Sequence, residues 1–436
     1  MRINTYCWTN LSHQHFEYHS GELLTLCALT LSGQAANDPA RNLRVFRAIM
    51  ASSYWQSVRR GRTVTEGAIM RKSPVSNPDD VWTFLELVAG HPHASEPGAA
   101  GELIGRAHFD HDRMVGLAMR HGLLPSVANF LHVNGLRRSL PTRLRNPVLN
   151  ALYHSRHRSA LLTLAAVEIN AALSAHKIPV VWTKGVVLQT WLYRNTGTRL
   201  FNDLDIMVLP EHRESVSEVL MSAGFKAGHR FDPSSATLVP VDRKTTTLYR
   251  LSPDHLVPFN RLTGDVAVPV VVIDVANSLT WHGSPWDVPV HLVQEPAVLV
   301  PVREGDCLPA MAPPHSLLFL CLHLFREGWF EGTIRLKDIS LAQFADISLA
   351  WRQLSGPERQ ELGRLIHHHG LQEPLAWATA HTDSIFGDMM TEELDLSEYA
   401  TADWLSSARG RGEDVLHWSG TMRERLRANG HLVLQV

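Results

Sequence analysis

The chain has 436 residues, of which 44% are hydrophobic and 19% are charged, and its formal net charge at pH 7 is −2. This composition is typical of globular proteins and excludes disordered and fibrous chains, while the near-zero net charge gives no global attraction to long nucleic acid. The length exceeds what one hydrophobic core usually organises, so two or three structural units are expected.

The cysteines indicate neither a disulfide framework nor a zinc site. The four are widely spaced and include no CxxC pair: Cys7, Cys27, Cys307 and Cys321. The first ten residues contain no basic segment followed by an apolar run, and the apolar stretch Leu23–Leu31 is too short to cross a bilayer. We therefore expect a cytoplasmic protein that is neither secreted nor embedded in a membrane.

The first 177 residues are predicted to be mainly helical after an irregular beginning. Segments rich in turn formers flank a short predicted helix at 81–88, so residues 1–105 are interpreted as an accessory or irregular region. Residues 114–136 have the pattern of two short helices, and residues 159–175 carry apolar side chains at helical spacing. Residues 106–177 are therefore predicted to form a helical region.

Residues 178–285 are predicted to form a unit around a small mixed β-sheet. β-Branched and alternating apolar runs predict strands at 178–182, 203–208, 245–251 and 266–275, with helices at 186–193 and 211–223. From Pro314 the pattern is helical again to about Arg427, so residues 286–436 are interpreted as a mainly helical C-terminal region. The predicted fold class is α+β, with the small mixed sheet flanked by N-terminal and C-terminal helical regions.

The strand DLDIMV carries the main candidate for chemistry. Along it Leu204, Ile206 and Val208 are expected to face one way, and Asp203 and Asp205 the other. At strand spacing their Cα atoms lie about 6.6 Å apart, which suits two carboxylates that bind a pair of hard cations about 3.5–4 Å apart. The simpler alternative is that both carboxylates belong to the solvated face of an edge strand.

The surrounding motif resembles a known family. A hydrophobic strand ending in Lys-Gly, then a helix, then an Asp-x-Asp strand is the layout of the DNA polymerase beta nucleotidyltransferase superfamily. More closely, residues 182–225 resemble an uncharacterised nucleotidyltransferase family with an LKG motif, an arginine, DLDLLV and a helix ending in Gly-Phe. The matching residues are Lys184, Gly185, Leu188, Tyr193, Arg199, Asp203, Asp205, Val208, Gly224 and Phe225. The resemblance extends over roughly residues 110 to 430.

The resemblance implies roles for individual residues. Asp203 and Asp205 would bind metal, with a third carboxylate on a neighbouring strand. Asp274 is the first candidate for it and Asp265 the weaker one, although Asp274 could instead cap a helix or contact an arginine. Lys184 and the backbone amides at Gly185 would bind the triphosphate.

Further residues are implied to bind the nucleotide or the acceptor. Arg199 could clamp a phosphate through two hydrogen bonds. Four positions downstream match the family's helical His and Lys-Asp positions: His323, Arg326, Lys337 and Asp338. Each of them taken alone is more typical of an ordinary helix-surface or core residue. One departure is that Val186 stands where the superfamily usually has glycine or serine, so a hydroxyl contact to the triphosphate is missing.

The implied activity is the metal-dependent transfer of a nucleoside monophosphate from an NTP, with ATP the expected donor, and release of pyrophosphate. Mg²⁺ or Mn²⁺ is the implied metal. The acceptor would be a hydroxyl or similar group of a small molecule, peptide or protein, and neither long nucleic acid nor a membrane is an expected partner. Two alternatives stay open: a nucleotide-binding scaffold that has lost catalysis, and a glycosyltransferase whose DxD motif binds a nucleotide sugar.

Overall fold

The computed structural model describes residues 78–251, 254–281, 283–330, 339–410, 414–428 and 434–435. The fold is α+β, as predicted, with a seven-stranded mixed sheet and helices before and after it. No helix in these ranges is long and apolar enough to cross a membrane.

Helices occupy the chain before the sheet. They are α1 (Pro78–Gly90), α2 (Gly98–Ile104), α3 (His111–Arg120), α4 (Leu124–Val133) and α5 (Thr142–Ala175). Helix α3 begins at an Asp110 side chain that accepts a hydrogen bond from the Arg113 N–H, a common N-cap arrangement. Helix α5 has 34 residues and is the longest described.

The central part of the chain forms the sheet and the helices between its strands. These elements are β1 (Val181–Thr183), α6 (Gly185–Trp191), β2 (Leu204–Met207), α7 (Arg213–Ser222), β3 (Lys226–Ala227), β4 (His229–Asp232), β5 (Thr237–Pro240), α8 (Arg243–Leu251), β6 (Phe259–Leu262), β7 (Val270–Ala276), α9 (His291–Gln294), β8 (Val298–Arg303) and β9 (Asp306–Ala310). The strand order is β3-β6-β7-β2-β1-β9-β8, with β4 and β5 forming a separate hairpin. The pairs β2–β7 and β1–β9 are parallel, and the other pairs are antiparallel.

The C-terminal part is again mainly helical. It contains α10 (Pro313–Trp329), α11 (Leu341–Gln353), α12 (Gly356–His368), α13 (Gln372–Phe386), α14 (Met390–Glu393), α15 (Ala402–Leu405), β10 (Ser407–Arg409), β11 (Val415–Trp418), α16 (Met422–Arg427) and β12 (Leu434–Gln435). Helices α11 and α12 both start at a serine in a capping box, with Ser340 and Ser355 as the capping residues.

Two hydrophobic cores meet along α5. The first, here the helical core, contains side chains of α1, α3, α4, α10, α11 and α13, together with the first half of α5 at Val148 and Leu152. The second, here the sheet core, lies under β1, β2 and β7 and contains the second half of α5 at Leu162 and Ile169. Helix α5 therefore fixes the sheet relative to the helices around it.

One predicted element is wrong. Residues 245–251 were expected to form a strand because threonine and tyrosine favour strands, but they belong to helix α8. The Asp242 carboxylate accepts hydrogen bonds from the Thr245 N–H at 2.9 Å and its hydroxyl at 2.7 Å, which starts the helix. The hydroxyls of Thr246 and Thr247 then donate to carbonyls four residues earlier. These bonds satisfy the two hydroxyls within the helix, so the hydroxyls do not favour a non-helical backbone.

Candidate active site

Three carboxylates meet where β2 and β7 lie side by side. Asp205 of β2 pairs in register with Asp274 of β7, and these parallel strands lie about 4.8 Å apart. Asp203 directly precedes β2, and all three residues line one cavity. Leu204 and Ile206 point the other way, into the sheet core. The alternation along the strand therefore directs the carboxylates to one face.

Lys184 is the cation nearest to these carboxylates. Its Nζ lies 2.6 Å from Oδ1 of Asp205 and 3.1 Å from Nε2 of His323, and a lysine ammonium can only donate to both. Burial acts to lower the pKa of Lys184, but the charges of Asp205, Asp203 and Asp274 outweigh it and raise that pKa. Lys184 therefore stays positively charged at the centre of the site.

The lysine backbone has an unusual conformation. Lys184 has φ +45° and ψ −122°, a combination that residues with a side chain rarely adopt, and it lies between the end of β1 and the start of α6. Such strain persists where the surrounding structure fixes it, and it is frequent at functional sites. The strained turn directs the lysine side chain over β2.

The carboxylates lack full charge compensation. Burial of Asp205 raises its pKa to about 7; Lys184 opposes this rise, while the negative charges of Asp203 and Asp274 add to it. The Asp274 side chain is 33% exposed against 10% for Asp205, and one of its oxygens lies 3.9 Å from Nε2 of His255. The site can therefore accept further positive charge.

The cavity in front of these carboxylates has a volume of about 510 Å³. This is within the range of about 300–1,000 Å³ that holds small-molecule ligands and cofactors. Besides Lys184, five arginines line it: Arg120, Arg158, Arg199, Arg230 and Arg326. Such a lining suits an anionic ligand with several charges, of which a nucleoside triphosphate is one.

Gly185 allows the start of α6 to approach β2 closely. A Cβ atom at this position would lie 2.8 Å from Cδ2 of Phe201 and 3.3 Å from the carbonyl oxygen of Asp203. Both distances are shorter than ordinary van der Waals contacts, so only glycine fits without a shift of the chain. The Lys-Gly pair thus places α6 beside the carboxylate strand.

A family model described as an uncharacterised nucleotidyltransferase matches residues 107–387, more than half of the chain. The chain belongs to this family. The resemblance found in the sequence is therefore confirmed, and the matched range ends at 387 rather than near 430. This nucleotidyltransferase is an enzyme that transfers phosphorus-containing groups. No curated protein matches its sequence.

The structure of this nucleotidyltransferase brings most of the predicted site residues together. Asp203, Asp205, Asp274, Lys184, Gly185, Arg199, His323 and Arg326 all line the cavity. Arg326 also donates to the Thr280 carbonyl at 3.4 Å. Lys337 and Asp338 lie outside the described residues. The roles of all these residues stay predictions.

Asp265 lies apart from the site of the nucleotidyltransferase. Its carboxylate accepts hydrogen bonds from the backbone N–H groups of Ala267 and Val268 at 2.7 and 2.8 Å, and Nε2 of His157 lies 2.8 Å away. It occupies the connection between β6 and β7 and does not line the cavity. Of the two candidates for a third carboxylate, only Asp274 therefore accompanies Asp203 and Asp205.

Two residues that sequence reasoning missed also line the cavity of the nucleotidyltransferase. Asp346 forms an ion pair with Arg199. It is the only charged residue between Leu341 and Trp351, and a single carboxylate in so apolar a segment indicates that a cationic partner is buried beside it. Tyr249 was hidden by the wrong strand prediction and enters the cavity from α8. Burial, with the Asp274 charge added to it, raises the pKa of Tyr249, so its hydroxyl stays protonated.

The donor set fits a divalent cation, although the structure shows no preformed cage. In the described parts of the chain no three His, Cys, Asp or Glu side chains converge closely enough to hold an ion. Oδ1 of Asp205 is instead in contact with Lys184. Three carboxylates on neighbouring strands are nevertheless the hard oxygen ligands that magnesium prefers. Burial raises the pKa of Asp205, and the negative charges of Asp203 and Asp274 raise it further, so a bound cation would stabilise its charged form.

Proposed function

We propose that the protein transfers a nucleoside monophosphate from an NTP, with ATP the expected donor, onto a hydroxyl or similar group. The acceptor belongs to a small molecule, a peptide or a protein, and pyrophosphate is released. The observation that carries the proposal is the in-register pair of Asp205 and Asp274, next to Asp203 and under Lys184, in a cavity lined by arginines. The family membership supports the same reaction class.

Asp203, Asp205 and Asp274 are proposed to hold Mg²⁺ or Mn²⁺. When bound, such a cation neutralises phosphate charge and lowers the pKa of an acceptor hydroxyl. The protein's own part would be to supply oxygen ligands on two adjacent strands, and Oδ1 of Asp205, which contacts Lys184, could serve as one only if Lys184 moved away. The released ammonium then has a natural partner in the phosphates of the nucleotide.

The remaining cavity residues are proposed to position the reactants. Lys184 and Arg199 would bind phosphate oxygens, together with the backbone at Gly185, and His323 would contact the nucleotide or the acceptor. Lys337, which lies outside the described residues, is proposed from the sequence alone to contact the nucleotide or the acceptor. The acceptor oxygen attacks the α-phosphorus in line and pyrophosphate leaves from the opposite side. Orientation of the reactants and neutralisation of charge therefore supply most of the catalysis, without a covalent intermediate on the enzyme.

A nucleotide-binding scaffold without catalysis is the second candidate. The contact between Lys184 and Asp205 favours it, because a lysine that kept this position would block one carboxylate oxygen. The glycosyltransferase alternative has less support. It needs a nucleotide-binding α/β half before the DxD motif, whereas β1 is the only strand in the described chain before β2.

The test compares carboxylate variants of the full-length chain. Asp203→Asn and Asp205→Asn should abolish transfer from α-³²P-labelled ATP with Mg²⁺ to pooled small-molecule and peptide acceptors, measured as label transfer and pyrophosphate release. Each variant leaves phosphate charge uncompensated in the transition state. Asp265→Asn is the matched control, because its carboxylate lies outside the cavity, and it should transfer like wild type. Activity within about tenfold of wild type in both cavity variants, a barrier change of about 1.4 kcal/mol, would contradict the proposed site.

A further inference from the structure

Arg199 and Asp346 form a buried two-point ion pair in the wall of the cavity. Nε of Arg199 donates to both carboxylate oxygens of Asp346 at 3.1 and 3.2 Å, and Nη2 donates to Oδ2 at 2.9 Å. The Tyr193 hydroxyl donates to Oδ1 at 2.7 Å. The two charged side chains are only 14% and 6% exposed. The pair is therefore held in one geometry by these four hydrogen bonds.

The pair joins parts of the chain that are far apart in sequence. Arg199 lies in the loop before β2, four residues from Asp203, while Asp346 lies 147 residues further on, in α11. The backbone N–H of Arg199 also donates to Oε1 of Gln189 in α6 at 3.3 Å. Arg199 is therefore held both at its backbone and at its guanidinium group.

One edge of the guanidinium remains for a ligand. Nε and Nη2 are used by Asp346, and in the described parts of the chain Nη1 of Arg199 makes no hydrogen bond. Arg199, Asp203, Asp205 and Asp346 line the same cavity. An arginine that already contacts a carboxylate along one edge presents its other N–H groups in a fixed direction.

Stability alone does not account for the pair. Removing two charges from water is unfavourable, and well-packed apolar side chains of similar volume often serve as well or better at such positions. The charges of this buried pair therefore indicate a role in the cavity beyond stability. Nη1 of Arg199, which Asp346 does not contact, could serve that role by binding an anionic ligand.

We propose that Asp346 is a positioning residue, which orients Arg199 so that Nη1 binds a phosphate group of the nucleotide. The inference rests on the proposed function, since it assumes that an NTP occupies the cavity. It makes helix α11 part of the binding machinery, although that helix was expected only to flank the catalytic core. The competing explanation is that the pair merely fastens α11 to the loop before β2.

Binding measurements separate these explanations without knowledge of the acceptor. Isothermal titration of the full-length chain with ATP, AMP and adenosine, each with Mg²⁺, reports affinity as a function of phosphate number. Asp346→Asn should weaken ATP binding at least about tenfold, a change of about 1.4 kcal/mol, because Arg199 loses the orientation in which it donates a charged hydrogen bond to phosphate. Adenosine binding should stay near the wild-type value.

A matched control removes a similar pair from the same helix. Asp388 accepts a hydrogen bond at 2.8 Å from Nε of Arg352, which belongs to α11, and neither residue lines the cavity. Asp388→Asn should lower the unfolding midpoint without changing the affinity for ATP. Equal losses of ATP affinity in Asp346→Asn and Asp388→Asn would indicate general loosening of α11 and would overturn the proposal.

A double variant covers the case in which Asp346→Asn fails to fold. Arg199→Met with Asp346→Leu removes both charges at similar volume and should restore stability. The proposal expects this variant to bind adenosine normally but ATP at least about tenfold more weakly than wild type. Wild-type ATP affinity in the folded double variant would overturn it. The wild-type chain is also titrated with GTP, CTP and UTP. If it bound none of the four NTPs, the proposed function itself would fail, which is a distinct outcome.

Discussion

Among single residues, Asp274 differs from the other two carboxylates in its surroundings. It lies on β7 rather than β2, its side chain is more exposed than that of Asp205, and Lys184 contacts Asp205 instead. In a two-metal site, the ion that accompanies the triphosphate also gains phosphate ligands, whereas the ion beside the acceptor depends more on protein carboxylates. We therefore propose that Asp274 acts on the acceptor side.

This assignment predicts that Asp274→Asn separates nucleotide binding from transfer. The variant should keep most of the thermal stabilisation by Mg²⁺ and ATP, which for wild type amounts to about 2.7 kcal/mol at a hundredfold excess over Kd. Its transfer rate should fall at least about a hundredfold, each factor of ten corresponding to about 1.36 kcal/mol. Both quantities can be measured by thermal shift and label transfer on one preparation.

Two controls accompany the measurement on Asp274→Asn. Asp205→Asn should lose both the stabilisation and the transfer, and wild type with ATP and EDTA should show only a small shift. Normal transfer by Asp274→Asn would mean that the third carboxylate lies elsewhere. Failure of that variant to fold would mean that Asp274 serves the structure alone.

At the scale of elements, the junction between β1 and α6 sets the geometry of the site. Lys184 adopts a positive φ and Gly185 packs against Phe201, so the helix starts immediately beside the carboxylate strand. A side chain at residue 185 must push apart α6 and the segment before β2. The junction therefore tolerates no Cβ without displacement of Phe201 and Asp203.

We predict that Gly185→Ala lowers the free energy of unfolding by about 1–3 kcal/mol, the usual penalty of overpacking a tight interior. Gly116→Ala is the matched control, because Gly116 lies on the exposed face of α3 with no atom within 4 Å of an added Cβ. That substitution should raise stability by about 0.5–1 kcal/mol through helix propensity. Urea unfolding of both variants measures the difference, and equal effects would contradict the close-approach argument.

At the scale of the whole molecule, buried histidines connect distant helices. His121 lies between α3 and α4, and its Nδ1 accepts the Leu341 N–H of α11 at 3.2 Å while Nε2 lies 3.1 Å from the Leu426 carbonyl of α16. Nε2 of His381 in α13 lies 3.0 Å from the Leu405 carbonyl of α15. Burial lowers the pKa of His121 and of His381 to about 3, so both rings are neutral in the folded protein.

These two histidines predict a loss of stability in mild acid. A pKa that is lower in the folded than in the unfolded state contributes stability above the unfolded pKa of about 6.5, and this contribution is lost as pH falls toward 3. Each histidine should therefore reduce the free energy of unfolding by roughly 2 kcal/mol between pH 7 and pH 5. Urea unfolding at both pH values measures the total pH dependence of stability, of which these two histidines supply one part.

Variants identify the source of this pH dependence. His121→Gln should lose roughly 2 kcal/mol less than wild type over the same pH interval. His176→Gln replaces an exposed histidine at the end of α5 and should keep the wild-type pH dependence. The same pH dependence in all three proteins would show that buried neutral histidines are not its cause.

Short-range chemistry made part of this nucleotidyltransferase predictable. The Lys-Gly pair, the strand DLDIMV and the helix that follows this strand all lie within residues 184–222. The alternation and turn residues that predict them involve only neighbouring positions in the sequence. The family resemblance came from this same segment, and the family model confirms it. The α+β class followed from the sequence for the same reason, because periodicity identifies long elements without knowledge of their partners.

Only the tertiary structure decided which distant residues meet in the cavity. The register that sets Asp274 beside Asp205 depends on how β7 packs, and a shift by one residue would have turned Asp274 into the sheet core. The partner of Arg199 lies 147 residues away, a separation at which local pattern carries no information. Helix α8 was mistaken for a strand because the Asp242 cap and the helical environment override the strand preference of its threonines. The contacts of Asp274 and Arg199 depend on the packing of the whole chain. The sequence alone therefore identified candidate site residues, and the tertiary structure determined which of them lie together.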